Sequence, residues 1–135
     1  MNDKTPIDLA SLDLGSFAEQ GSALELEHPL EGTPIGVKIY LIGAESKKFK
    51  EAMNEGLRRA RKSKAEMTVD QADLETSKTL AAVTTGWENV IWEGQPLEFS
   101  KENAIMLYRE RSWIREQVDS YVSNVKNFSG VAKKK

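Results

Sequence analysis

The stretch SALELEHPLEGTPIGVKIYLIG, residues 22–43, constrains the fold more than any other part of the chain. Leu24 and Leu26 alternate with Glu25 and Glu27, the two-residue period of a strand with one covered face. Val37 to Ile42 is rich in β-branched and aromatic side chains, which suit a strand that is more fully covered. Between them HPLEGTPIG holds two prolines and two glycines, strong turn punctuation. The pair therefore reads as an antiparallel β-hairpin with a loop longer than the tightest class. A lone hairpin is only marginally stable in water. It requires a helix on one face, a third strand, or a second copy of itself.

The segments after the hairpin supply helices. Phe49, Met53, Leu57 and Ala60 recur on one helical face, with Ser46 as the N-cap. This helix is expected to lie over the hairpin, since each has one apolar face to cover. Leu74, Leu80, Ala81 and Val83 mark a second helix from about Val69 to Thr85, capped at Asp70 and stopped by Gly86. Trp87 to Trp92 reads as a short extended piece and Glu93-Gly94-Gln95-Pro96 as a turn. Ser100 then caps a helix from Lys101 to about Arg109, with Phe99 and Ala104 placed as a weak hydrophobic staple. Ser112 caps a last helix whose apolar rows run from Trp113 to Phe128, closed by Gly130.

The expected class is thus α+β, an N-terminal β-hairpin packed against a mainly helical body of three to four helices. Residues 1–20 read as a flexible arm with a short apolar flicker at Ile7, Leu9, Leu12, Leu14 and Phe17. Residues 21–130 form a single domain, and 131–135 a basic tail. A chain of 135 residues buries about 65–70% of its unfolded surface. The aromatic rings are expected to dominate so modest a core. Trp87, Trp92 and Trp113 all fall near helix ends or turns. There they are expected to seal joints, with their N–H groups reaching backbone carbonyls.

Catalytic chemistry is hard to build from these residues. There is no cysteine, which removes disulfides and thiolate chemistry, and His28 is the only histidine. Pro29 follows it, so His28 reads as a turn residue. No nucleophile elbow, phosphate-binding loop or dinucleotide fingerprint occurs. The carboxylate pairs Glu25/Glu27 and Glu51/Glu55 look like solvated faces. The expectation is a non-enzyme with no cofactor and no metal.

A net charge of -2 argues against a general nucleic-acid-binding protein. The one basic cluster is Arg58, Arg59, Arg61, Lys62 and Lys64. It is read first as the exposed end of a helix, where positive charge complements the macrodipole. A phosphate or an acidic partner is the other reading, weakened for nucleic acid by the lack of interleaved aromatics. No apolar stretch approaches the roughly 20 residues of a membrane span. The N-terminus lacks a signal pattern.

Two longer stretches carry a family likeness. Ala18 to Phe49, AEQGSALELEHPLEGTPIGVKIYLIGAESKKF, has an Ala-Glu-x-Gly opening, a strand, His-Pro-x-x-Gly-x-Pro, a second strand, then Gly-x-(Asp/Glu)-Ser and a helix. Leu80 to Phe128 has an alanine-rich helix ending in Gly-Trp, a short turn, a Ser-capped helix, and a Trp-Ile-Arg-x-Gln-(Val/Ile) helix ending near Asn-Phe. This layout resembles the tail assembly chaperones of long-tailed, non-contractile bacteriophages.

The resemblance implies a non-catalytic protein of the host cytoplasm that coats the tape-measure protein and is displaced as tail tube protein polymerises. It leaves self-association open, and implies that some members are extended by a frameshift near the basic tail. The family gives no residue-level binding motif. Tyr108, Trp113 and Tyr121 are the candidate partner-binding residues, because the segment from Trp87 to Phe128 is rich in aromatics. The alternative is a structural phage component, a tail or head-completion subunit retained in the virion.

Overall fold

A computed structural model describes residues 6–63 and 65–128. The hairpin is present as β1 (Ser22–Glu27) and β2 (Pro34–Leu41), antiparallel, with Leu24 opposite Ile39. Its inward side chains Leu26, Ile39 and Leu41 are almost wholly buried. Of the three covers the hairpin could take, the fold uses two. A third strand, β3 (Thr84–Glu88), pairs with the far side of β2 and gives the order β1-β2-β3. Helices cover the sheet's apolar face.

The helix α2 (Lys47–Lys62) starts where expected, with the Ser46 hydroxyl accepting the Phe49 N–H at 3.1 Å. Its placement corrects the sequence reading. It packs alongside the next helix, α3 (Val69–Ala82), rather than over the hairpin. The helix α3 starts at Thr68 instead of Asp70, through a full capping box. The Thr68 hydroxyl accepts from the Gln71 N–H, and the Gln71 side chain accepts from the Thr68 N–H. The box satisfies two end donors at once.

The end of α3 also differs from expectation, and tertiary pairing explains it. The Thr84 hydroxyl donates to the Leu80 carbonyl at 2.8 Å, and the Ile42 N–H donates to the Val83 carbonyl at 2.8 Å. The Thr84 hydroxyl thus takes a last helix carbonyl, while the Ile42–Val83 bond and the pairing of Thr84 with Leu41 turn the chain into the sheet. The helix therefore stops at Ala82, and Gly86 is a strand residue opposite Tyr40. Beyond β3, the strands β4 (Ile91–Trp92) and β5 (Gln95–Pro96) form a minimal hairpin. Glu93 and Gly94 both take positive φ, the conformation a two-residue turn of this twist requires.

The helix α4 (Lys101–Glu110) follows expectation, capped by the Ser100 hydroxyl on the Asn103 N–H. The last helix, α5 (Ser112–Ser123), does not use Ser112 as its cap. Arg111 holds the N-cap position without a side-chain bond. Nor does α5 run to Phe128. Asn124 accepts the Lys126 N–H, Asn127 donates to the Tyr121 carbonyl, and the chain tightens into a 3-10 turn over Val125–Phe128. Short amide side chains competing for backbone groups end the helix there.

Within the segment read as an arm, Leu14–Gln20 forms a seven-residue helix, α1, capped by Asp13 and burying Ala18 against the C-terminal 3-10 turn. The basic tail and residues 1–5 lie outside the described residues. The class is α+β, a hairpin-based sheet with a helical body. The core joins Leu24, Ile39 and Leu41 to Leu80 of α3, Leu107 of α4 and Val118 of α5. It is mainly aliphatic. Most of the aromatic rings pack around it half-buried, which corrects the expectation that they dominate it.

Candidate functional site

Tyr108 is not a surface residue. It is 0% exposed and lies on the same face of α4 as Ala104 and Leu107. Its hydroxyl lies 2.8 Å from that of Thr84, whose own proton goes to Leu80, so Tyr108 is the donor. Burial pushes the Tyr108 phenol up to about 12. It is a core residue with a satisfied hydroxyl and offers no area to a partner.

Trp113 and Tyr121 do come together. Two turns apart on α5, they line an open cleft of about 570 Å³ facing β1 and the turn after it. The cleft is polar and pinned. The Tyr121 hydroxyl donates to the Ala23 carbonyl at 2.9 Å and accepts from Ser22 at 2.6 Å. Between the two rings, Gln117 clamps Glu27 by accepting its N–H and donating to its carbonyl, each at 2.9 Å. β1 is an edge strand, and α5 side chains thus occupy backbone groups that would otherwise invite another strand. Gln117 was not singled out from sequence, although its spacing of four from both Trp113 and Tyr121 places it on their row. At the cleft's rim, His28 accepts the Leu30 and Glu31 N–H groups through Nδ1, the turn role expected of it.

The other tryptophans divide. Trp87 donates to the Leu97 carbonyl at 2.8 Å and meets Phe99 edge-on at 5.2 Å, sealing β3 to the segment before α4. Trp92 instead lies beneath the Arg111 guanidinium, 4.9 Å from its ring centre. Among the described residues, neither Trp92 nor Trp113 makes the ring N–H bond found at Trp87.

The basic cluster lies at the end of α2, except Lys64, which is outside the described residues. Arg59 leaves the solvated group by reaching across to α3, where Nε and Nη2 grip the Glu75 carboxylate at 2.6–3.1 Å. The Arg59 hydrogen bonds hold the Glu75 carboxyl below its usual range. Among the described residues Arg58, Arg61 and Lys62 have no carboxylate within 4.0 Å.

The least expected surface lies between α2 and α3. Phe49, Met53, Leu57 and Ala60 face a groove of about 400 Å³, with Met67 at one end and Ala72, Thr76 and Leu80 across from them. No residue of α2 is fully buried, and Met53 and Leu57 stay 44% and 52% exposed. The sequence displayed this face, but its assignment to the hairpin hid the groove.

Among the described residues there is no cluster of three metal-ligating side chains, and no helix long and apolar enough to cross a membrane. Compared with known proteins, the chain matches no family model, no curated protein and no solved structure.

Proposed function

We infer that this chain is a phage tail assembly chaperone, a non-catalytic protein that binds the tape-measure protein and supports tail tube assembly. The reading draws on the family resemblance of residues 18–49 and 80–128. One structural observation carries it: α2 has a well-formed apolar face that the protein leaves open. A long amphipathic client exposes apolar stripes that aggregate when uncovered. A helix-in-groove surface is the means of covering them. The binding residues are then Met53, Leu57 and Met67 rather than Tyr108, with the Trp113–Tyr121 cleft as a second, more polar surface.

Co-expression with the cognate tape-measure protein tests the reading. The expected result is a soluble complex with several copies of this chain along each client, and none of it in purified virions. Stoichiometric retention in mature particles would sink the chaperone and favour a structural tail or head-completion subunit. A tape-measure protein equally soluble alone would remove the need for it.

A further inference from the structure

We propose that the α2–α3 groove takes an acidic amphipathic helix, an inference that rests on the helix-binding reading above and specifies its ligand. Phe49 to Ala60 spans about three turns, roughly 16 Å. A third helix lying between α2 and α3 would present matching anchors four and seven positions apart. Methionines at 53 and 67 suit such a surface, since flexible thioether side chains adapt to varied apolar stripes.

Charge selects among the helices that would fit. Over Lys47–Lys62, α2 has seven basic residues against two acidic ones, in a chain whose net charge is -2. Helical spacing places Lys50 and Arg61 beside the apolar row, with Arg58 and Lys62 behind them. The opposite wall does not cancel this charge. Glu75 is held by Arg59 and Asp73 by Arg115, while Asp70 sits in the first turn of its own helix. Asp119, at the groove's margin, is the remaining carboxylate of the lining. Lys50 already lies 3.7 Å from the Glu45 carboxylate. A partner helix with carboxylates along its α2-facing edge therefore meets chiefly Arg61, with Arg58 and Lys62 behind it, which no carboxylate among the described residues engages. Two α2 helices meeting face to face would bring two strongly basic surfaces together, which argues against a symmetric second copy as the occupant.

The test uses the full chain and three designed 21-residue helices sharing one Leu/Met face, with flanking positions all glutamate, all lysine or all glutamine. Chemical-shift titration at low salt should show the acidic probe binding roughly tenfold or more tighter than the basic one. The shifts should centre on Met53, Leu57 and Met67, and the preference should shrink at about 0.5 M salt. Leu57→Asp should abolish binding with the helical spectrum unchanged. Arg58→Glu with Arg61→Glu and Lys62→Glu should reverse the preference and keep the site.

Equal binding of acidic and basic probes in the groove overturns charge selection and leaves the chaperone standing. No probe bound, while the tape-measure protein is still solubilised, overturns the groove as the site. Self-association that Leu57→Asp abolishes assigns the groove to a second copy and overturns the proposal.

Discussion

Helices α2 and α4 begin alike and end in opposite circumstances. Each is capped by a serine hydroxyl that accepts an N–H three residues on, Ser46 for α2 and Ser100 for α4. Each has a regular apolar row. The shorter one, α4, buries Ala104, Leu107 and Tyr108 between α3 and α5, whereas α2, six residues longer, buries nothing fully. An apolar row states that a face needs covering. Which element covers it is decided by topology, and among the described residues α2 packs mainly against α3.

The strongest way to break this contrast is in the closed region. Leu107→Ala should lower unfolding free energy by about 2–5 kcal/mol in denaturant titration, as buried leucines do. A loss below about 1 kcal/mol would mean that α4 is not the closed helix described.

High pH probes the same region next. Burial raises the folded Tyr108 phenol from its ordinary 10.0 to about 12. Between those values the unfolded chain releases the proton while the folded chain retains it. Stability therefore falls as pH rises through that window and is unaffected by this group below it. The drop attributable to Tyr108 should be about 2–3 kcal/mol. In Tyr108→Phe it should be absent, so the variant, weaker by about 1 kcal/mol at neutral pH for its lost hydrogen bond, overtakes the wild type in alkaline melts.

Gln117→Ala asks whether the α5–β1 cleft belongs with the closed region. Losing both bonds to Glu27 should cost about 1 kcal/mol. It should also speed amide exchange at Glu27, read by hydrogen-exchange NMR. The smallest effect belongs to the open helix. Leu57→Ala should change stability by less than about 0.5 kcal/mol, and a cooperative loss of about 2 kcal/mol or more would show α2 to be core after all.

Legibility in the sequence tracked the range of each interaction. The hairpin and the Ser46 and Ser100 caps were visible because each depends on residues a few positions apart. The turn read over Glu93–Pro96 was half right, since Glu93 and Gly94 turn while Gln95 and Pro96 form β5. β3 was legible only in part: Trp87 and Glu88 were read as extended, but nothing local distinguishes Thr84–Gly86 from a helix end. Its strand identity comes from pairing with Tyr40 and Leu41. Tyr108 was misplaced for a different reason. Aromatic type says nothing about exposure, whereas the spacing of Ala104, Leu107 and Tyr108 already marked one buried face. The groove was half legible: its row was read correctly and its neighbour was not.

Gly43 bears on how the chain is made. An added Cβ there would lie 2.9–3.0 Å from the Phe128 ring and 3.0 Å from Ala18. The Gly43 N–H donates to the Ala18 carbonyl, and the next N–H, of Ala44, donates to Val122. The first helix, the end of the hairpin and the last turn thus close on one residue without a side chain. On the ribosome, Ala18 emerges long before Phe128, by on the order of ten seconds at ordinary elongation rates. Until then α1 has only part of its seat, its bonds to Gly43 and Lys47. A message cut short before Phe128 would yield a polypeptide whose first helix keeps its bonds to Gly43 and Lys47 but lacks the ring that completes the closure.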